Sequence, residues 1–321
     1  MIAVIGEALI DLVAGSDGRF AARPGGAGFN TARTIARLGA KPAFLDRLSG
    51  DGFGRLLRST LDGDGVVLAV AEPAGLPTTL ALVDVDPAGL PRYRFYLDGT
   101  SAPALEYPVL AAALPAGLTA LHAGGLALAS EPIATSIDRV ISADLPAGAL
   151  VMIDPNCRPE VIVDRPAYLA RLSRILRRAD VVKVSVEDLD YLAPGIPAAS
   201  AAAGLLGRGP ALVLLTDGPH PARAFLRDEV VSAEVPAVTV ADTVGAGDAF
   251  GGAFLAWWSR SGLTRSDLRK PTPVHGALRA AAEVAALTCT RVGAEPPWLA
   301  EVRDRPGWGP GPGPARERPL A

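Results

Sequence analysis

The sequence predicts an α/β fold, a mainly parallel sheet covered by helices on both faces, with a small β-sheet lid. Three observations predict it. Apolar runs of strand length alternate with helical patterns over most of the chain, which is the mark of βαβ units. Two segments, residues 78–86 and 91–97, break that rhythm with period-two alternation and read as an antiparallel hairpin with one wet face. Late in the chain a Gly-rich turn at residues 242–250 runs straight into an apolar helix, an arrangement that presents backbone N–H groups to an anion.

The first strand is expected at residues 2–9. Its apolar run has no basic leader region and is followed by Glu7 and Asp11, so it reads as a strand and not a signal peptide, with the cytoplasm as the expected location. A helix at 30–38, a strand at 42–48 and a helix at 54–61 follow. The hairpin comes next, joined by residues 87–90 (PAGL). With the region after Asp11 it is expected to form the lid, in segments at about 12–24 and 76–100. Strands are then expected at 118–123, 150–154, 181–184 and 211–216, with helices at 132–142, 166–178, 186–192 and 200–206 between and after them. Two helices, 247–260 and 273–290, close a single domain of residues 1–302. From Arg303 the Pro/Gly-rich composition, without apolar periodicity, predicts a flexible tail, 303–321.

Composition narrows the function. With 321 residues, 49% apolar and 20% charged, the chain can bury the core of one large domain. A net charge of −3 leaves no basic footprint, so nucleic acid is not an expected partner. No charge-free run of 18 apolar residues exists, so no membrane span is expected. Cys157 and Cys289 are too few for a disulfide framework, and His122, His220 and His275 are scattered singly, against a zinc site or a His-based triad.

The chemistry concentrates in the late turn. Gly245, Ala246 and Gly247 are small enough for the backbone to turn several N–H groups inward, and the helix dipole behind them favours an anion. Asp248 follows at once. A carboxylate repels a phosphate unless its task is to take a proton from the attacking group, so nest plus Asp reads as phosphoryl transfer to a hydroxyl. The cluster alone also admits a plain turn with Asp as N-cap, and it comes within one residue of the dinucleotide fingerprint GxGxxG. Its late position speaks against a dinucleotide loop, and no GxxxxGK[ST] occurs.

The stretch DTVGAGDAFGGAFL resembles the C-terminal signature of the ribokinase-like, or PfkB, carbohydrate kinases, and GGAGFNTARTIARLG, residues 25–39, resembles their N-terminal signature. GDGFGRLL follows at residues 50–57, with Ser49 where many members carry Gly. The two signatures stand in the family's order about 200 residues apart. The resemblance implies a ribokinase-like three-layer fold and an ATP-dependent sugar kinase, monomeric or dimeric through the lid. GEALIDLV, FYLDGTSA and DPNCR are most similar to the fructokinase and 2-keto-3-deoxygluconate kinase branch.

It also implies roles. Asp248 is the base, and Gly245, Ala246 and Gly247 donate to the phosphoryl group. Asp11, Gly25, Gly26, Asn30 and Arg158 bind the sugar, with Asp154 and Asn156 shaping the loop of Arg158. Thr216, Gly218, Lys183 and Ser185 serve the nucleotide, although Pro221 stands where a later Gly is often found. The family's NxxE element falls on Ser185–Val186–Glu187–Asp188, which makes Asp188 or Glu187 the holder of Mg²⁺ through water; the same residues also read as a helix cap with an acidic first turn. Backbone near Asp242 and Val244 is implied to hold a monovalent cation, potassium. Ketodeoxygluconate kinases carry a lid Arg where this chain has Leu97, which favours a neutral ketohexose, fructose. A non-catalytic sugar or nucleotide sensor on the same fold is the reading of another class.

Overall fold

The computed structural model describes residues 1–15, 17–85 and 91–308. From the N-terminus the chain forms β1 (Ile2–Ile5), β2 (Leu9–Ala14), β3 (Phe20–Gly25), α1 (Ala27–Arg37), β4 (Pro42–Leu45), α2 (Gly52–Asp64), β5 (Val67–Leu68), β6 (Leu80–Val85) and β7 (Pro91–Tyr96). It continues with α3 (Tyr107–Ala112), β8 (Ala120–Gly124), α4 (Ile133–Ala143), β9 (Leu150–Asp154), α5 (Arg165–Leu176), β10 (Val181–Ser185), α6 (Val186–Leu192) and α7 (Ala198–Leu206). The last elements are β11 (Leu212–Asp217), β12 (His220–Phe225), β13 (Val230–Ala233), α8 (Ala246–Arg260), α9 (Pro271–Thr288) and α10 (Leu299–Val302).

Nine strands make the main sheet in the order β13-β12-β11-β10-β9-β8-β1-β4-β5. All pairs from β11 to β5 are parallel; β12 and β13 add an antiparallel edge. Side chains of β1 show how the layers form. Ile2 and Val4 face a core shared with α1, α2, α8 and α9, whereas Ala3 and Ile5 face a second core shared with α3 to α7. Both faces of the sheet are therefore covered, as a parallel sheet requires. The chain order reverses between β1 and β8, and at such a switch point the carboxyl ends of the strands open a crevice.

The second sheet has the order β3-β2-β6-β7 and combines the hairpin with the segment after β1, so the lid is built as the sequence predicts. The joining residues, 86–90, lie outside the described residues. The first strand is shorter than expected. It stops at Ile5 because Gly6 lies against Gly28, so closely that a Cβ on Gly6 would stand 2.7 Å from Gly28 Cα, and Leu9 already belongs to the lid. Thr78 precedes β6, its N–H and hydroxyl both given to Asp51, the N-cap of α2, at 2.8 and 2.6 Å.

The tail requires a correction. Packing does not end at Arg303: Trp257 Nε1 donates to the Gly307 carbonyl at 3.0 Å, Gly307 N–H to Glu283 Oε1 at 3.1 Å, and Trp308 Nε1 to the Ala280 carbonyl at 3.1 Å. Two indoles anchor a Pro/Gly-rich stretch that periodicity alone reads as unstructured. Residues 309–321 lie outside the described residues. Among the described residues no helix is long and apolar enough to cross a membrane.

Candidate active site

Two helix N-termini meet at the crevice. Gly245, the N-cap of α8, has φ 77°, and Gly26, the N-cap of α1, has φ 109°; a side chain is strained at either. The space is as restrictive as the backbone. A Cβ on Gly245 would stand 2.4 Å from Ala294 Cβ and 3.5 Å from Asn30 Nδ2, and one on Gly26 would stand 2.4 Å from the Glu7 carbonyl. Ala246 and Gly247 begin α8, so the nest the sequence predicts stands at the open start of a fifteen-residue helix.

Asp248 sits in the first turn of α8 and is 8% exposed. Asn30 Nδ2 donates to its Oδ2 at 2.8 Å, a bond that joins α1 to α8 across 218 residues of sequence. Among the described residues Oδ1 accepts nothing. Burial raises the pKa of Asp248, while the Asn30 bond and the charges of Lys183 and Arg158 oppose that rise.

Asp11, half-buried on the lid, points at Gly25: a Cβ there would stand 2.3 Å from Asp11 Oδ2. Burial, with Asp248 and Asp242 nearby, pushes its pKa up to about 7. Asp11, Gly25, Gly26, Asn30 and Asp248 are thus brought to one place. Arg158 is exposed at the end of its loop, its NH1 donating to the Cys157 carbonyl at 3.1 Å, and its charge acts on Asp248. The turn before it uses Asn156 at φ 40°, a left-handed position that Asn tolerates.

Lys183 reaches the nest from beneath. It pairs with Asp154 at 3.0 Å, both side chains buried, and a Cβ on Gly247 would stand 2.9 Å from its Nζ. Burial by itself would lower the Lys183 pKa, but Asp154 and Asp188 raise it, so the ammonium is held charged under the helix start. Thr216 and Ser185 are register partners on β11 and β10, and Gly218 turns the chain at φ 52° just beyond. These nucleotide candidates therefore line adjacent strand ends.

The acidic pair of the NxxE element separates. Asp188 forms a capping box with Ser185: its Oδ2 accepts from Ser185 N–H at 2.8 Å and its N–H gives to Ser185 Oγ at 3.1 Å. Its Oδ1 accepts from Cys157 N–H at 2.7 Å. Each Asp188 oxygen thus accepts one backbone N–H, whereas Glu187, the other acidic residue of the element, is exposed in the same first turn. Asp242 is likewise occupied, accepting from Val244 N–H at 3.0 Å and Gly293 N–H at 2.8 Å, so it shapes the loop around Val244. Among the described residues no group of three metal-ligating side chains clusters, so a divalent ion here would depend on phosphate oxygens for most of its ligands.

Two residues escape sequence reading. Glu7, buried behind β1, accepts from Ala27 N–H at 2.9 Å and Ala127 N–H at 3.4 Å, holding the start of α1; burial pushes its pKa to about 7. Tyr93 pairs with Val83 in the lid, stacks on Phe95 at 6.0 Å, and has its pKa raised by burial and by Asp11. The alternation of the hairpin places Tyr93 on the face of Phe95 and Leu97, and that face was the available signal. Leu97 packs with Leu9, Ala81, Phe95, Leu126 and Val161, an apolar setting at the position where ketodeoxygluconate kinases are expected to carry a lid Arg. A cleft of about 630 Å³ opens at the base of the lid, lined by Leu97, Asp98, Glu131, Tyr168 and Arg171, and does not include Asp248.

A buried carboxylate beside an anion nest, under a β lid at the carboxyl ends of a parallel sheet, is the arrangement of a ribokinase-like sugar kinase. The chain matches the model of the pfkB family carbohydrate kinases over residues 1–301, and it belongs to that family. It is 35% identical over 261 residues to a fructokinase of Rhizobium leguminosarum bv. trifolii, covering 80% of this chain and 79% of the relative. Among solved structures it is similar to a fructokinase of Xylella fastidiosa with bound ATP, at TM-score 0.84 and 31% identity over 94% of this chain and 96% of that one. It is also similar to the fructokinase of Vibrio cholerae O395 with fructose, ADP and calcium, at TM-score 0.81 and 28% identity over 91% and 94% of the two chains. A double mutant of the latter holds fructose, ADP and potassium, at TM-score 0.80 and 28% identity over 91% and 93%.

Proposed function

We propose that this chain transfers the γ-phosphoryl group of ATP to a primary hydroxyl of fructose. One observation carries the reading: the Asp248 carboxylate, held on one oxygen by Asn30 and open on the other, lies at the helix start that the left-handed Gly245 turns into a nest. In the proposed reaction the sugar hydroxyl oxygen bonds to the γ-phosphorus while the bond from the bridging oxygen to that phosphorus breaks. Asp248 takes the hydroxyl proton and ADP leaves with the electron pair. The N–H groups at Gly245, Ala246 and Gly247, with the Lys183 charge beneath them, stabilise the charge spread over the transferred group. Asp11 and Asn30 orient sugar hydroxyls, Gly25 and Gly26 let the backbone approach, and Arg158 closes on the phosphoryl side.

Thr216, Ser185 and Gly218 support the nucleotide at the strand ends. Glu187 or Asp188 would hold magnesium through water, and the ion would supply positive charge to the triphosphate when bound. The loop of Asp242 and Val244 would hold a monovalent cation, potassium, which would supply a fixed charge beside the nest. Leu97, in apolar surroundings, supplies no cation where the resemblance sets a lid Arg in acid-sugar kinases, which supports fructose over an acid sugar.

The test is ADP release over a panel of fructose, 2-keto-3-deoxygluconate, ribose and adenosine. Fructose is expected to give the highest kcat/KM. Release with the acid sugar alone would move the assignment to that substrate, and release with none of them would favour a sensor.

A further inference from the structure

The strongest unassigned feature is a buried arginine on the helix that carries Asn30. Arg33 lies one turn along α1 from Asn30 and is 2% exposed. All three guanidinium nitrogens donate. Nε donates to Asp64 Oδ2 at 2.6 Å, NH1 to the Ala294 carbonyl at 3.0 Å, and NH2 to Glu295 Oε1 and Oε2 at 3.1 and 3.0 Å. Arg37, one turn on, doubles the attachment through Asp64, Glu295 and the Pro296 carbonyl at 2.9, 2.9 and 2.8 Å.

What Arg33 holds is the outer wall of the nest. Ala294 is the residue against which Gly245 is packed too closely for a side chain, and Gly293 N–H is the donor to Asp242 at 2.8 Å. The turn at residues 293–295 therefore touches the nest loop at both of its ends, Asp242 and Gly245. It cannot move inward against Gly245, and Arg33 and Arg37 stop it moving outward. The same helix, α1, fixes the base through Asn30.

We infer that Arg33 is a positioning residue that locks the nest wall to α1, so that base and phosphate site keep one geometry. Its effect passes through Ala294 and Glu295 to the nest; Arg33 itself touches neither substrate. An arginine is suited to this because its planar fork serves a carbonyl and two carboxylates at once, which a lysine cannot do. The inference rests on the fructose-kinase reading, and wild-type turnover of fructose with ATP serves as the separate control on that reading.

The experiment compares Arg33→Met, Arg33→Lys and Glu295→Gln with wild type by steady-state kinetics, by ADP titration in a calorimeter and by thermal melting. Arg33→Met takes one of two arginine partners from the buried Asp64 carboxylate, leaving Arg37, and can cost folding; Glu295→Gln keeps the shape at a half-exposed position and supplies the second arm. Well below the melting temperature, the folded variants are expected to raise the ATP KM and ADP Kd and to lower kcat by roughly tenfold, since displacement of a site by about 1 Å can cost up to 10²-fold. The fructose KM is expected to stay within about twofold, and Arg33→Lys to fall between Arg33→Met and wild type. ATP KM, ADP Kd and kcat all unchanged in folded Glu295→Gln, or equal losses for sugar and nucleotide that follow only the melting temperature, would overturn the inference. ADP titration reads the nest even if fructose is the wrong sugar, so the two failures remain distinct.

Discussion

Replacement of Asp248 by Asn tests the chemistry most directly, because the structure says what the change leaves intact. An Asn side chain can still present an oxygen to Asn30 Nδ2, which lies 2.8 Å from Asp248 Oδ2, so the link between α1 and α8 survives. The nest backbone and the Lys183–Asp154 pair are untouched. What is lost is the proton acceptor, and general-base assistance typically contributes about 10² to 10⁴ in rate, or roughly 3 to 5 kcal/mol of barrier. A second effect has the opposite sign. Asp248 is a buried carboxylate whose pKa burial has raised, so the neutral amide removes a desolvation cost and the variant is expected to melt no lower than wild type. The assay is coupled ADP release with fructose and ATP each varied, beside thermal melting. Expected are a kcat lowered by about 10² or more, KM values within a few-fold, and an undiminished melting temperature. Turnover within about tenfold of wild type in the folded variant would refute Asp248 as the base.

Three other outcomes follow from the same geometry. Gly245→Ala is expected to lose ADP binding and to melt lower, since the new Cβ meets Ala294 Cβ at 2.4 Å and the residue must hold φ 77°; a normal calorimetric titration would argue against the nest. Asp11, with its pKa raised to about 7, favours its protonated form when folded, so the stability it contributes is fully present below its usual 3.8 and is lost as pH rises through about 7. Asp11→Asn is therefore expected to gain more in melting temperature at pH 8 than at pH 5, while wild-type kcat/KM for fructose falls as the pH drops below about 7; a gain independent of pH would contradict that carboxylate's burial. Leu97→Arg is expected to shift the ratio of kcat/KM values toward 2-keto-3-deoxygluconate by placing a cation where Leu9, Phe95 and Val161 now pack, and an unaltered ratio would show that this face does not read the acid group.

Periodicity and turn chemistry carry far in this chain. The alternation of strands and helices, the lid hairpin and the start of α8 at the Gly245–Asp248 turn are all legible in the sequence, because each depends on residues close together in it. Helix α6 is predicted to the residue, since Ser185 and Asp188 form a local capping box. The edge strands β12 and β13 are not, as Pro221 and short, partly exposed runs blur their period. Trp308 shows the same limit from the other side: its indole is buried against Ala280, on a helix 28 residues earlier, so composition around it misleads.

The sequence by itself set small residues and a carboxylate together at Gly245–Asp248, and its resemblance to the family implied Asp11, Asn30 and Arg158 as sugar ligands. Only the tertiary structure decided how those pieces divide the work. Asn30 meets Asp248 across 218 residues, Glu7 accepts from the start of α1, Arg33 donates to the Ala294 carbonyl, and each Asp188 oxygen accepts a backbone N–H. The physical reason is the range of the forces involved. Backbone preference and amphipathic period act within a few residues, whereas burial, charge pairing and the occupancy of a carboxylate's oxygens depend on neighbours that only folding supplies.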